Sequence, residues 1–310
     1  MEIDPQLSLF EPVYLLKESA LRKLREFDID GAQEDLNRIE ISEPKNSFAV
    51  SSLIAITDFR KKLYRALEGK SLLQGAEALY GAWLAFQSEA GSRFSVDSTL
   101  LAGIGSGVRQ QVIEMLEGAP EEEVMALYPR LSLGHLKLEA GDYRGALITL
   151  QKLLDFHQED PKLLTALANA SYHLGRYPEA EAYYLRAFFS DVEAAFREGV
   201  ENKLLTLSFE SFLDCSTPPC WFPVYALLNG AIRLSPSTLN SAPWAHPPSE
   251  PADPESYAPI EDLEERDKAR LFFIYLARAE EAAHEELTEL HGKMKELNPV
   301  AFRWYLASRS

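Results

Sequence analysis

Cysteine, positive charge and long apolar runs are all scarce in this chain of 310 residues. Its two cysteines, Cys215 and Cys220, are too few for the disulfide framework of a small secreted domain. Lys and Arg number 31 against 48 Asp and Glu, which gives a net charge of −17. Since phosphate groups attract basic surfaces, we expect no nucleic acid and no anionic membrane surface among the partners. The most apolar run, 271–277, is far shorter than the ~20 residues that cross a bilayer.

The first residues, Met1-Glu2-Ile3-Asp4-Pro5, lack the basic start and apolar core of a signal peptide. We therefore expect a cytoplasmic protein. The composition, 46% apolar and 25% charged, is typical of a globular chain with enough material for a core.

Two segments of the chain align with each other without gaps, Leu127–Asp160 and Pro161–Ala194. The aligned pairs are Leu133 with Leu167, Gly134 with Ala168, Gly141 with Gly175, Tyr143 with Tyr177, Ala146 with Ala180, and Leu150 with Tyr184. Self-similarity of this kind indicates stacked helical hairpins.

Each aligned position has a mechanical role in such a hairpin. The small residues Gly134 and Ala168 are predicted in the middle of the first helix, where the second helix crosses closely. Gly141 and Gly175 end the first helix, where glycine adopts the left-handed conformation without strain. The aligned tyrosines that follow are predicted to plug the turn, and Pro178 suits the first turn of the second helix.

The spacing Gly141-Asp142-Tyr143…Ala146, repeated as Gly175-Arg176-Tyr177…Ala180, resembles the tetratricopeptide repeat. Neither segment has the tryptophan of that family, since Arg130 and Leu164 stand in its place. The resemblance implies an all-α fold, a right-handed α–α superhelix of stacked hairpins, and a role in binding other proteins.

A sequence similar to that of the turn occurs near the N-terminus. Phe27-Asp28-Ile29-Asp30-Gly31-Ala32 mirrors the segment from Gly141 to Ala146, with Phe27 in place of the turn glycine. The sequence predicts a similar helical hairpin over residues 13–45.

The remaining pattern suggests four parts of the chain. Residues 1–126 are predicted to form N-terminal helical hairpins and 127–206 the repeats. Residues 207–260 form an irregular segment rich in cysteine and proline with one short helix, and 261–310 form C-terminal helices. The run Gly103-Ile104-Gly105-Ser106-Gly107 indicates close helix packing, because a P-loop would require a preceding strand and a Lys-Ser/Thr ending.

No constellation of residues predicts catalysis. Cys215 and Cys220 are separated by four residues and lack the second ligand pair of a zinc site. His284 and His291 lie seven apart, whereas a metalloprotease helix needs a spacing of four. We expect a protein that is not an enzyme, with no catalytic residue, no cofactor and no metal.

The resemblance carries a predicted binding face over to this sequence. In tetratricopeptide repeats the concave surface is lined by first-helix residues, here Leu131, His135, Leu138, Glu139, Thr165, Asn169, Tyr172 and His173. Asn169 matches a position that grips the C-terminal carboxylate of a peptide in some members. Leu131 and Thr165 stand where those members have lysine.

Three functions remain open at this point. The first is a scaffold or adaptor that holds a peptide or partner protein on the concave face. The second is a self-contained or self-associating structural protein, in which Ser235–Pro259 or the C-terminal helix fills the groove of the same chain or of a neighbouring subunit in a homo-oligomer. The third is a helical accessory to an enzyme site at 207–260.

Overall fold

A computed structural model describes residues 5–94, 96–233 and 258–309. Across these ranges the chain forms fifteen α-helices and two short 3₁₀ helices, with no β-strand. The all-α fold of packed hairpins is therefore confirmed. The chain divides into an N-terminal unit, Met1–Gly141, and a C-terminal unit, Asp142–Ser310. The division falls inside the segment 127–206 that was assigned to the repeats.

The N-terminal unit contains the first seven helices. They are α1 (Pro5–Arg25), α2 (Ile29–Ser42), α3 (Ser47–Leu67), α4 (Leu72–Arg93), α5 (Ser98–Glu117), α6 (Glu121–Met125) and α7 (Leu133–Glu139). The first five pack each against the next, and α5 packs against α1 as well. These five helices therefore close into a bundle around a common apolar core.

The C-terminal unit contains the other eight. They are α8 (Tyr143–Leu154), α9 (Pro161–His173), α10 (Tyr177–Glu198), α11 (Lys203–Leu213), α12 (Phe222–Leu228), α13 (Glu265–Glu281), α14 (His284–Leu297) and α15 (Pro299–Ser308). The 3₁₀ helices are Pro219–Trp221 and Ile260–Asp262. Helix α9 packs against both α8 and α10, and α12 packs against α10, α11, α13 and α15.

An aromatic cluster lies at the centre of the C-terminal unit. The buried ring of Phe222 meets four phenylalanine rings at steep angles, with centroids 5.0–5.6 Å away: Phe188, Phe196, Phe209 and Phe212. Such edge-to-face contacts are the favoured geometry of aromatic pairs. The segment predicted as irregular thus supplies core residues through α11 and α12. Its proline-rich part, Ser235–Pro259, lies outside the described residues except for positions 258 and 259.

The turn predicted at the end of each first helix is confirmed. Gly141 and Gly175 have φ values of 82° and 73°. Phe27, which replaces the glycine in the similar N-terminal sequence, has the same left-handed conformation with φ 60°. Asp28 Oδ1 accepts a hydrogen bond from Gly31 N at 2.9 Å, and Asp142 Oδ1 accepts one from Gly145 N at the same distance. The predicted hairpin at 13–45 therefore exists as α1 and α2.

One prediction about the first repeat is wrong. Gly134 was expected in the middle of the first helix of this repeat, yet α7 begins only at Leu133. Ser132 caps that helix by accepting a hydrogen bond from His135 N at 3.4 Å. Because the chain enters the helix at this cap, Gly134 is its second residue.

The glycine run in α5 does mark close helix packing. A Cβ atom on Gly107 would lie 2.1 Å from the carbonyl oxygen of Leu24 in α1. A Cβ atom on Gly105 would lie 2.7 Å from the indole ring of Trp83 in α4. The absence of side chains at these positions lets α5 approach both neighbours.

A buried ion pair joins α1 to α2. Lys23 Nζ lies 2.8 Å from Asp35 Oδ2 and also donates to the carbonyl oxygen of Gly31 at 3.1 Å. Burial by itself would raise the pKa of Asp35, but hydrogen bonds from Lys23 and Ser19 outweigh it and hold the pKa below its ordinary value.

Two glycine-to-alanine substitutions in the N-terminal unit should act in opposite directions. We expect Gly107→Ala to lower the free energy of unfolding by about 2–3 kcal/mol, because the new methyl group meets a backbone oxygen. Gly81→Ala in α4 has nothing within 4 Å of the added Cβ. It should raise the free energy of unfolding by up to about 1 kcal/mol through helix propensity. Urea denaturation measures both, and equal effects would contradict the packing described for α5.

The Lys23–Asp35 pair predicts a dependence of stability on pH. Because the pKa of Asp35 is lowered in the folded state, its stabilisation is present above the unfolded value of about 4 and is lost as pH falls through the folded value. Asp35→Asn should cost about 1–3 kcal/mol of unfolding free energy at pH near 7, and the difference from the parent should shrink as the pH falls below the unfolded value and through the lowered folded one. Asp30→Asn is the control, since Asp30 pairs with Arg60 at an exposed site and should cost less than about 1 kcal/mol. A pH-independent difference for Asp35→Asn would refute this account of the pair.

Candidate functional site

Four of the eight predicted binding residues lie in the N-terminal unit. Leu131 is buried ahead of α7, and Leu138 is half-buried. The Nδ1 atom of His135 lies 2.9 Å from Ser132 Oγ, and its ring contacts that of Tyr128. Glu139 is exposed, with Oε2 3.8 Å from Arg109 Nε. Their role in binding stays a prediction.

The other four lie on α9 in the C-terminal unit, and two of them are buried. The hydroxyl of Thr165 donates to the carbonyl oxygen of Pro161, one turn earlier, at 2.7 Å. Asn169 is 3% exposed. Thr165 therefore satisfies its own hydrogen bond within the helix and presents no polar atom to solvent.

Both ends of the Asn169 carboxamide make hydrogen bonds inside the fold. Its Nδ2 donates to the carbonyl oxygen of Gly199 at 2.8 Å. Its Oδ1 accepts from Glu201 N at 3.2 Å and from the hydroxyl of Tyr184. Burial raises the pKa of Tyr184, so that hydroxyl stays protonated and able to donate. Asn169 thus ties α9 to α10 and to the segment before α11, and it cannot grip the carboxylate of a peptide as its position in the family suggested.

The remaining two residues, Tyr172 and His173, belong to a partly exposed group of rings at the end of α9. The ring of His173 stacks on that of Tyr143, with centroids 4.1 Å apart and planes 7° apart. The ring of Tyr172 stands at 79° to His173 and at 65° to Tyr177, with centroids 6.0 and 5.6 Å away. We call these four side chains, Tyr143, Tyr172, His173 and Tyr177, the aromatic corner.

A carboxylate stands beside the aromatic corner. The Nε2 atom of His173 hydrogen-bonds to Oε2 of Glu201, which lies 28 residues further along the chain. Because Asn169 holds the backbone N–H of the same glutamate, the buried carboxamide positions the group that contacts the exposed histidine. The corner therefore combines aromatic faces, an imidazole and a carboxylate on a fixed frame.

The position of Tyr177 corrects a second prediction. This residue was expected to plug the turn, yet it is 56% exposed and its ring contacts that of Tyr172. The residues that sequence reasoning left out of the site are Tyr143, Tyr177 and Glu201. The alignment of Tyr143 with Tyr177 could have indicated the two tyrosines. No nearby sequence feature indicates Glu201, because it lies 28 residues from His173 along the chain.

The cysteines and the C-terminal histidines have ordinary surroundings. Cys215 and Cys220 are both free thiols, and burial raises the pKa of Cys220 to about 11. A thiol with a raised pKa stays protonated near neutral pH and is a poor nucleophile. His284 is exposed, and His291 lies 3.1 Å from the hydroxyl of Tyr305. Within the described ranges no group of three or more His, Cys, Asp or Glu side chains is placed to hold a metal ion, and no helix is long and apolar enough to span a membrane.

Removal of the Asn169 carboxamide should destabilise the C-terminal unit. Asn169→Ala leaves the carbonyl of Gly199, the N–H of Glu201 and the Tyr184 hydroxyl without their partner. We expect a loss of about 2–4 kcal/mol of unfolding free energy. Tyr184→Phe removes only one of these bonds and should cost about 1 kcal/mol. Chemical denaturation compares the two, and an Asn169→Ala variant as stable as the parent would contradict the role assigned to this residue.

Comparison with known proteins identifies one part of the chain. A family model described as tetratricopeptide repeat matches residues 137–197, from the last turn of α7 through most of α10. The match starts later than the predicted Leu127, in agreement with the late start of α7. No curated protein and no solved structure gives a significant match. Residues 137–197, which include α8, α9 and most of α10, are therefore similar to the tetratricopeptide repeat.

Proposed function

We propose that this chain is an interaction scaffold or adaptor, not an enzyme, and that it holds a peptide or partner protein at the aromatic corner. The tetratricopeptide repeat match favours a role in protein–protein interaction. Of the residues predicted on the concave face, Tyr172 and His173 are those in the C-terminal unit that reach the surface.

The observation that carries this proposal is the exposed ring of Tyr177 beside Tyr172. Large aromatic side chains contribute much contact area at small entropic cost, and they are common among residues that dominate binding energy. The neighbouring rings hold each other in place, so a partner would meet a surface that is already ordered.

Self-association is a second candidate, and the surface of α11 favours it. Leu204 and Leu207 lie one turn apart on that helix, and both are exposed. An exposed apolar pair of this kind could meet the same pair in another copy of the chain. The mass of the purified protein by light scattering separates a strict monomer from a homo-oligomer.

The scaffold proposal is tested by recovery of partners from a native extract. We expect the Tyr172→Ala/Tyr177→Ala variant to recover a partner at least about tenfold less well than the parent, since each truncated ring removes binding area worth about 1–2 kcal/mol. Phe156→Ala is the matched control, because Phe156 is also an exposed aromatic residue (74%) but lies beyond the other end of α8. Circular dichroism of all variants checks that they fold.

Two outcomes would count against the scaffold. One is equal recovery by the corner variant and by Phe156→Ala, and the other is the absence of any partner specific to the parent. A partner that proves to be the same chain would favour self-association.

A further inference from the structure

A cavity lies between α2 and α3 in the N-terminal unit. Its volume is about 480 Å³, within the range of sites that bind ligands. One wall is formed by Gln33, Asn37 and Glu40 of α2. The apolar floor is formed by Leu53 and Ile54 of α3 and by Phe94, which follows α4.

The apolar floor packs against the core on one side and is exposed to solvent on the other. Leu53 and Phe94 pack against the core of the N-terminal unit, and the ring of Phe94 stacks against the buried Phe86 with centroids 6.3 Å apart. Ile54 is 54% exposed. A ligand with an apolar side chain would cover Ile54 without moving the residues beneath it.

The wall on α2 is polar and regularly spaced. Gln33, Asn37 and Glu40 follow the helical spacing that places side chains on one face. The Oε1 atom of Gln33 is buried and has no hydrogen-bond partner in the protein. Since an unsatisfied buried acceptor costs free energy, rotation of the Gln33 carboxamide towards a ligand that donates a hydrogen bond is favoured. The carboxamides of Gln33 and Asn37 can each donate and accept a hydrogen bond, and so can each peptide unit of an extended chain. The wall is therefore suited to bind the backbone of such a chain.

The lining of the cavity carries one more negative than positive charge, since it contains Glu40, Asp58 and Lys61. Carboxylates come from Glu40 and from Asp58, whose Oδ2 lies 3.3 Å from Lys62 Nζ outside the lining. Lys61 is the cation among the described residues that line the cavity. Glu40 is exposed at the end of the wall, and the chain as a whole carries 48 acidic against 31 basic residues. This excess attracts basic partners at long range.

We propose that the α2–α3 cavity is a second binding site, which takes an extended protein segment with an apolar side chain next to a lysine or arginine. Gln33 and Asn37 bind the backbone of the segment. The apolar side chain lies on Leu53, Ile54 and Phe94, and the basic side chain pairs with Glu40. This site uses none of the residues of the aromatic corner.

The test is selection of a random-peptide library on the full-length chain, followed by fluorescence anisotropy of the enriched peptides. We expect the enriched peptides to contain an apolar residue flanked by Lys or Arg, and their affinity to fall as salt is raised. Glu40→Lys and, separately, Ile54→Asp should each weaken binding at least about tenfold. Glu34→Lys is the matched control, because Glu34 is an exposed glutamate of the same helix that does not line the cavity.

The same measurements can overturn the proposal. It fails if no peptide is enriched, if the enriched peptides are acidic, or if both cavity variants bind as tightly as Glu34→Lys does. The Tyr172→Ala/Tyr177→Ala variant should bind the enriched peptides as the parent does. Loss of binding in that variant alone would assign the peptides to the aromatic corner and refute this site. If the aromatic corner binds no partner in the extract experiment, the result for the cavity is unaffected.

Discussion

Two hairpins of this chain, α1–α2 and α9–α10, turn at one residue in the left-handed conformation at the end of the first helix. Phe27, Gly141 and Gly175 all adopt it, and it lets the backbone reverse within a few residues while the last carbonyl groups of the helix still find donors. The backbone N–H of Asp28 reaches the carbonyl of Lys23 in this way, and that of Arg176 reaches Ser171. Glycine meets this demand without strain, whereas a side chain costs about 1–2 kcal/mol. At Phe27 the cost is offset by burial of the ring against the N-terminal core.

The helices that these turns connect pack closely in both units, but by different means. In the N-terminal unit, α5 approaches α1 because Gly107 leaves room for a backbone carbonyl. In the C-terminal unit, α9 is buried almost all round from Leu163 to Ser171, so it must also satisfy polar groups internally. Asn169 does so by bonding to two different elements. The exposed rings at the end of α9 are therefore carried by one of the most enclosed helices of the unit.

Features that arise within a few residues were predictable from the sequence. The helices follow from apolar spacing, the turns from Gly141, Gly175 and the similar sequence around Asp28, and the close contacts of α5 from its glycines. The start of α7 was not predictable, because the cap at Ser132 competes with a helical pattern that begins earlier. Within the site, Tyr172 is half-buried and His173 is exposed, and their role in binding stays a prediction. The burial of Asn169 and the pairing of His173 with Glu201 depend on a segment distant in the chain, and positions carried over from a family cannot supply that information.

The bonding of Asn169 also bears on how related sequences would be interpreted. A buried carboxamide that donates on one side and accepts on the other has no isosteric substitute, because aspartate lacks the donor and leucine lacks both. Selection for folding alone would then preserve asparagine at this position through evolutionary drift, whatever the chain binds. An invariant Asn169 among related sequences would therefore indicate a requirement for folding and not a shared ligand. Variation at Tyr172 and Tyr177 would be the better indication of a change of partner.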